Sequence, residues 1–138
     1  MKRIPAPLLA AGLVLVAGCG GPIGSDELRR GVETLDALAA EGELIADGAA
    51  RDRTKTTFTR VHARTLGDEA DHEAEKLADA SAPPELAGAK RDAVRLAQDV
   101  GAALGDLQVM PDDVAGARAA HSRLRHLSAE AGRLAGRL

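Results

Sequence analysis

The chain has 138 residues with a formal charge of −3 at pH 7, and 45% of it is hydrophobic, drawn mostly from Ala, Leu and Val, with Phe58 the only aromatic and no Trp or Tyr. That length holds one domain and leaves no room for a second. The shortage of aromatic residues argues against a β-rich core, since strands favour aromatic and β-branched side chains whereas Ala and Leu favour helices; the acidic balance and missing basic-aromatic stripe exclude a nucleic-acid partner.

The chain opens with Lys2 and Arg3, and Ile4 to Gly18 then runs without a charge to Cys19, the only cysteine. This is the layout of a signal peptide over residues 1–18: a cationic start, an apolar stretch and small residues before a cleavage point. The stretch is too short for a transmembrane helix, which needs about 20 residues to cross roughly 30 Å of hydrocarbon. Val16, Ala17, Gly18 and Cys19 resemble the lipobox of bacterial lipoproteins. The resemblance covers residues 1–19 only. It implies a diacylglyceryl group on the Cys19 thiol, cleavage before Cys19, further acylation of the new amino terminus by a chain such as palmitate, and residence in the cell envelope on the extracytoplasmic side of a membrane. Two or three acyl chains anchor durably, because each buried methylene contributes about 0.8 kcal/mol. A lipidated Cys19 leaves the mature chain with neither disulfide nor thiol chemistry. Loss of Lys2 and Arg3 with the signal takes the formal charge from −3 to −5, since no acid precedes Cys19.

Residues 19–24 read as the lipidated cysteine and a flexible tether, in which Gly20, Gly21, Pro22 and Gly24 disfavour a continuous helix. The remaining span, 25–138, reads as one up-and-down antiparallel four-helix bundle, all-α. Ser25 is placed as the cap of a first helix, with Asp26 and Glu27 in the turn where the helix dipole favours negative charge. Leu28, Val32, Leu35, Ala39 and Gly42 share its apolar face, and Gly48 marks its end. A second helix runs from about 52 to 80, with Phe58, Leu66, Ala70 and Leu77 as its stripe and residues 81–84 stopping it. Pro84 suits the first turn of a third helix that buries Leu86, Ala89, Ala93, Leu96, Val100, Leu104 and Leu107. Pro111, Asp112 and Asp113 open a fourth, which carries Ala117, Ala120, Leu124, Leu127, Ala131, Leu134 and Leu138 on one face to the end of the chain. Four such stripes joined by short turns bury one another most simply as an up-and-down bundle.

That connectivity places the end of the fourth helix beside the start of the first, at the pole facing the membrane. Arg133 and Arg137 then complement exposed carbonyls and are placed to touch anionic head groups, worth about 1 kcal/mol each. The acidic stretch 68–75 of the second helix is expected to balance Arg123, Arg125 and Arg133 of the fourth. Winding the second helix at 100° per residue puts His62, Glu69 and Glu73 on the face of Phe58, Leu66 and Leu77, where polar groups need partners. His121 lies near the edge of the fourth helix's apolar face. Imidazole and carboxylate from facing helices are the ligand types with which bundle cores hold transition metals, so these four residues form a candidate metal set. Glu69 and His72 have Glu-x-x-His spacing, but it occurs once, His72 points away from the face of His62 and Glu69, and the first and third helices offer no obvious inward ligand.

Nothing assembles a nucleophile with its base, and no phosphate-cradling glycine loop, Gly-x-Ser-x-Gly or Cys-x-x-Cys occurs, so the chain is not read as an enzyme. The functional expectation is a small membrane-anchored envelope lipoprotein, a non-catalytic binding or assembly-support module whose partners are envelope proteins. It needs no cofactor. Two alternatives are a sensor or carrier of a transition metal ion and, because an Ala-rich bundle is loosely filled, a carrier of a small ligand or lipid.

Overall fold

The computed structural model describes residues 21–138; Cys19 and the signal-like segment before it lie outside the described residues. Four helices account for the fold: α1 (Ser25–Ala50), α2 (Thr56–Asp79), α3 (Ala87–Val109) and α4 (Val114–Ala135). Among the described residues there is no strand, and no helix is long and apolar enough to cross a membrane.

α1, α3 and α4 bury most of the stripe expected of them, although Leu86 just before α3, Ala89 in its first turn and Leu138 beyond the end of α4 at Ala135 are only half-buried. Leu28, Val32, Leu35, Ala39 and Gly42 of α1 are buried, as are Leu96, Val100, Leu104 and Leu107 of α3 and Leu124, Leu127 and Leu134 of α4. The stripe of α2 is rotated from the expected one at its start. Thr59, Ala63, Leu66, Ala70, Glu73, Ala74 and Leu77 face inward, and Phe58, one residue off that line, is 46% exposed. A step of one residue turns a side chain by about 100° around the axis, enough to carry it from core to surface. Thr59 takes the inward position, with its hydroxyl 3.1 Å from that of Thr54.

The helices pack as an antiparallel ring in which α1 lies mainly against α4 and α2 mainly against α3; lighter contacts join α1 to α2 and α3 to α4. Across the diagonal α1 touches α3, while α2 and α4 do not meet. The α1–α3 approach is made at Gly42, where an added methyl carbon would come within 2.7 Å of Leu104 Cδ2 and 3.1 Å of Leu124 Cδ1. Small residues let helix axes close to the short end of the usual 8–10 Å range, which an Ala- and Gly-rich core exploits.

Gly48 was expected to end α1, but the helix continues to Ala50. Its missing side chain serves contact instead, since an added carbon there would meet Thr54 Cγ2 at 2.7 Å. The left-handed residue of the stop is Asp52, at φ 53°. The Arg53 amide donates to Gly48 O at 2.8 Å and the Asp52 amide to Ala49 O at 3.1 Å, the paired bonds of a Schellman stop. α2 accordingly starts at Thr56 rather than 52. α3 begins at Ala87 after a turn carried by Pro83 and Pro84, whose carbonyls accept from the Leu86 and Ala87 amides. Asp113 caps α4 by accepting from the Ala115 amide at 3.0 Å.

Ile23 is buried in the core, and its amide donates to Ser81 O of the α2–α3 turn at 2.8 Å. The described chain therefore enters the bundle at the pole carrying the α2–α3 turn and the end of α4, called proximal below. The α1–α2 and α3–α4 turns form the distal pole.

Candidate functional site

The residues singled out in the sequence are distributed over the bundle rather than gathered. On α2, His62 is half-buried and its ring lies 4.1 Å, centroid to centroid, from that of Phe58. Glu69 is exposed. Glu73 is buried, 7% exposed, with its carboxylate oxygens 3.3 and 3.4 Å from Lys76 Nζ one turn later. It reaches over Gly31 of α1, where an added carbon would stand 2.8 Å from Glu73 Oε1. Glycine at 31 thus makes the space into which the carboxylate folds.

His121 of α4 faces α1. Its Nε2 is 3.8 Å from Glu43 Oε1 and its Nδ1 3.4 Å from the Glu43 carbonyl. Because α1 lies between α2 and α4 in the ring, His121 is turned away from the α2 residues, and His62, Glu69, Glu73 and His121 do not form one cluster. Among the described residues no group of three or more His, Cys, Asp or Glu side chains is arranged to hold a metal ion. The expectation of a common ligand set rested on helical phase and on similar heights of His62 and His121 along parallel helices, neither of which chooses the neighbouring helix.

The same topology redirects the arginines. Arg123 reaches α3, with Nη2 3.3 Å from Asp99 and Nη1 3.8 Å from Asp106, not the acidic stretch of α2. Within that stretch Asp68 is met by Arg64 and Glu73 by Lys76, both from α2 itself. Lys90 of α3 donates to the carbonyls of Ala78 and Ala80, closing the C-terminal end of α2 with a cation where the helix dipole is negative. Arg133 lies in the last turn of α4 and Arg137 just beyond it; both are exposed at the proximal pole without an ion-pair partner among the described residues.

Two polar rungs between α1 and α4 are not apparent from either helix alone. Ser128 Oγ donates to Asp36 Oδ1 at 2.5 Å, and His121 meets Glu43. Asp36 and Glu43 are one heptad apart, and so are His121 and Ser128, so each helix presents its pair on one stripe at the edge of its apolar face. The signal that would have found them is this matched spacing read on two helices together.

The most uneven feature of the surface is apolar. The exposed large hydrophobic side chains among the described residues are Leu44, Phe58, Val61, Val109, Met110 and Val114. All six belong to the distal half: the second half of α1, the start of α2 and the α3–α4 turn. Leu44 and Val109 are 74% and 73% exposed. Among the described residues the proximal pole has none: Ile23 and Leu134 are buried there and Leu138 is half-buried.

Comparison of the chain with protein-family models, with curated proteins and with solved structures gives no match.

Proposed function

We propose that the chain is a small envelope lipoprotein, anchored through Cys19 on the extracytoplasmic side of a bacterial membrane, whose four-helix bundle is a non-catalytic binding or assembly-support module. The observation that carries this reading is the run from Lys2 and Arg3 through the uncharged Ile4–Gly18 to Val16-Ala17-Gly18-Cys19. The bundle agrees with such an anchor in its polarity. From Cys19 to Ile23, the first core residue, four peptide steps span at most about 14 Å. A lipidated Cys19 therefore holds the proximal pole against the membrane, with Arg133 and Arg137 nearby, and turns the distal pole with its exposed apolar residues away from it. Exposed large apolar side chains grouped on one end of a small domain mark a surface that meets another molecule.

The test is the intact mass of the protein isolated from membranes of its native host. Loss of residues 1–18 together with the added mass of a diacylglyceryl group, with or without an amide-linked acyl chain, is expected, and Cys19→Ala should leave the protein unacylated. A bare Cys19, or residues 1–18 still attached, overturns the reading.

A further inference from the structure

The distal pole is built from two turns of opposite charge. The α1–α2 turn and the first residues of α2 carry Arg51, Arg53, Lys55 and Arg60 against Asp52. Arg51 is committed to Asp47 at 2.8 Å, whereas Arg53, Lys55 and Arg60 are exposed and make no ion pair among the described residues. Phe58 and Val61 stand exposed among them. The end of α3, the α3–α4 turn and the first residues of α4 carry Asp106, Asp112 and Asp113 against Arg118. Asp113 is occupied as the cap of α4, Asp106 meets Arg123 only at 3.8 Å and remains largely exposed, and Asp112 is exposed and unpaired. Here too apolar side chains are uncovered, those of Val109, Met110 and Val114. One turn thus offers cations around an apolar pair; the other offers carboxylates around an apolar trio.

We infer that the distal pole is a self-complementary surface that binds a second copy of this chain, the basic α1–α2 turn of each protomer meeting the acidic α3–α4 turn of the other. A two-fold axis satisfies both contacts at once, because in an isologous interface residue i meets residue j and j meets i. Apolar side chains supply the contact area, and the opposed charges fix which turn meets which, as charge complementarity sets register and excludes like-with-like pairing. The inference goes beyond the lipoprotein reading and does not depend on acylation.

Charge reversal tests it through its symmetry. Full-length protein is purified in mild detergent with Cys19→Ala throughout, so that no acyl chain drives association, and its mass is read by native mass spectrometry. The unreversed Cys19→Ala protein should be a dimer that dissociates as salt is raised. Arg53→Glu with Lys55→Glu makes both turns acidic and should be monomeric; Asp106→Lys with Asp112→Lys makes both basic and should be monomeric too. An equimolar mixture of the two variants should form a mixed dimer, because each reversed turn then faces its complement. A helical circular-dichroism spectrum confirms that each variant is folded. The Phe58→Ser, Met110→Ser protein, whose charges are unchanged, should weaken dimerisation roughly tenfold or more. A monomeric unreversed protein, dimers indifferent to either reversal, or folded variants that fail to pair on mixing would each overturn the inference.

Discussion

Single residues here are decided by whether a small or polar side chain has its space. Gly42 stands where α1 meets α3 and α4, and Leu104 and Leu124 against it are both fully buried, so neither can move far. Gly42→Ala should lower stability by about 1–2 kcal/mol despite alanine's better helix propensity, because overpacking a filled core costs more than the propensity returns. Chemical unfolding of the two proteins checks this. Glu73 presents the opposite problem, a desolvated carboxylate with one partly exposed partner. Lys76→Ala leaves that charge buried without its partner and should cost about 1–3 kcal/mol. Glu73→Leu removes the charge and should be neutral or raise the urea midpoint; a fall of similar size in both variants would show that the pair itself, not its desolvation, governs stability. Phase at 100° per residue brought Glu73 to the core face correctly, yet it also brought Phe58 there. Hydrophobicity made Phe58 the obvious inward residue, and only the neighbouring Thr54, bonded to Thr59, shows why the threonine is inside instead.

At the scale of one helix, glycines divide by what surrounds them. An added carbon at Gly105 of α3 or Gly132 of α4 meets nothing within 4 Å. At both sites alanine recovers backbone entropy without a clash. Gly105→Ala and Gly132→Ala should each stabilise by roughly 0.5–1 kcal/mol and add when combined. Thermal denaturation of the single and double variants measures it, and the contrast with Gly42→Ala is the informative part. The helix stop at Asp52 offers another gain. A non-glycine residue at φ 53° carries a steric cost that glycine does not, so Asp52→Gly should raise stability by a few tenths to about 1 kcal/mol without shifting the turn. Helix starts were read less well than helix stripes. Glycine and proline signal breaks, but whether Gly48 ends a helix or admits a neighbouring threonine depends on what the chain does six residues later.

For the whole molecule, the consequential choice is which helices are neighbours. Two antiparallel pairs, α1 with α4 and α2 with α3, are closely packed and meet along a seam filled by Gly42, Leu104 and Leu124. Leu104 is fully buried there, and Leu104→Ala should cost about 2–5 kcal/mol, the range for a leucine cavity in a core that cannot collapse onto it. Ile23 closes the proximal end of the same core and ties the entering chain to the α2–α3 turn. Ile23→Ala should cost about 2 kcal/mol and expose the Ser81 end of that turn to amide exchange before the rest of the bundle. Exchange that rises uniformly through all four helices would mean instead that Ile23 contributes only to the global core. The ring order also explains why His62, Glu69 and Glu73 do not converge with His121: α1 stands between the helices that carry them.

The sequence by itself determined the fold class, the number of helices and most of the buried stripe of each, because hydrophobic periodicity is a local property and a stripe has only one way to leave water. It also contains the whole argument for an anchor at Cys19, which is a matter of composition and order along the chain. Only the tertiary structure decided which stripe faces which, where polar residues at the edges of those stripes find partners, and that the exposed apolar side chains collect at one pole between turns of opposite charge. Those outcomes depend on distances between residues far apart in the chain, and no single helix's periodicity encodes the identity of its neighbour.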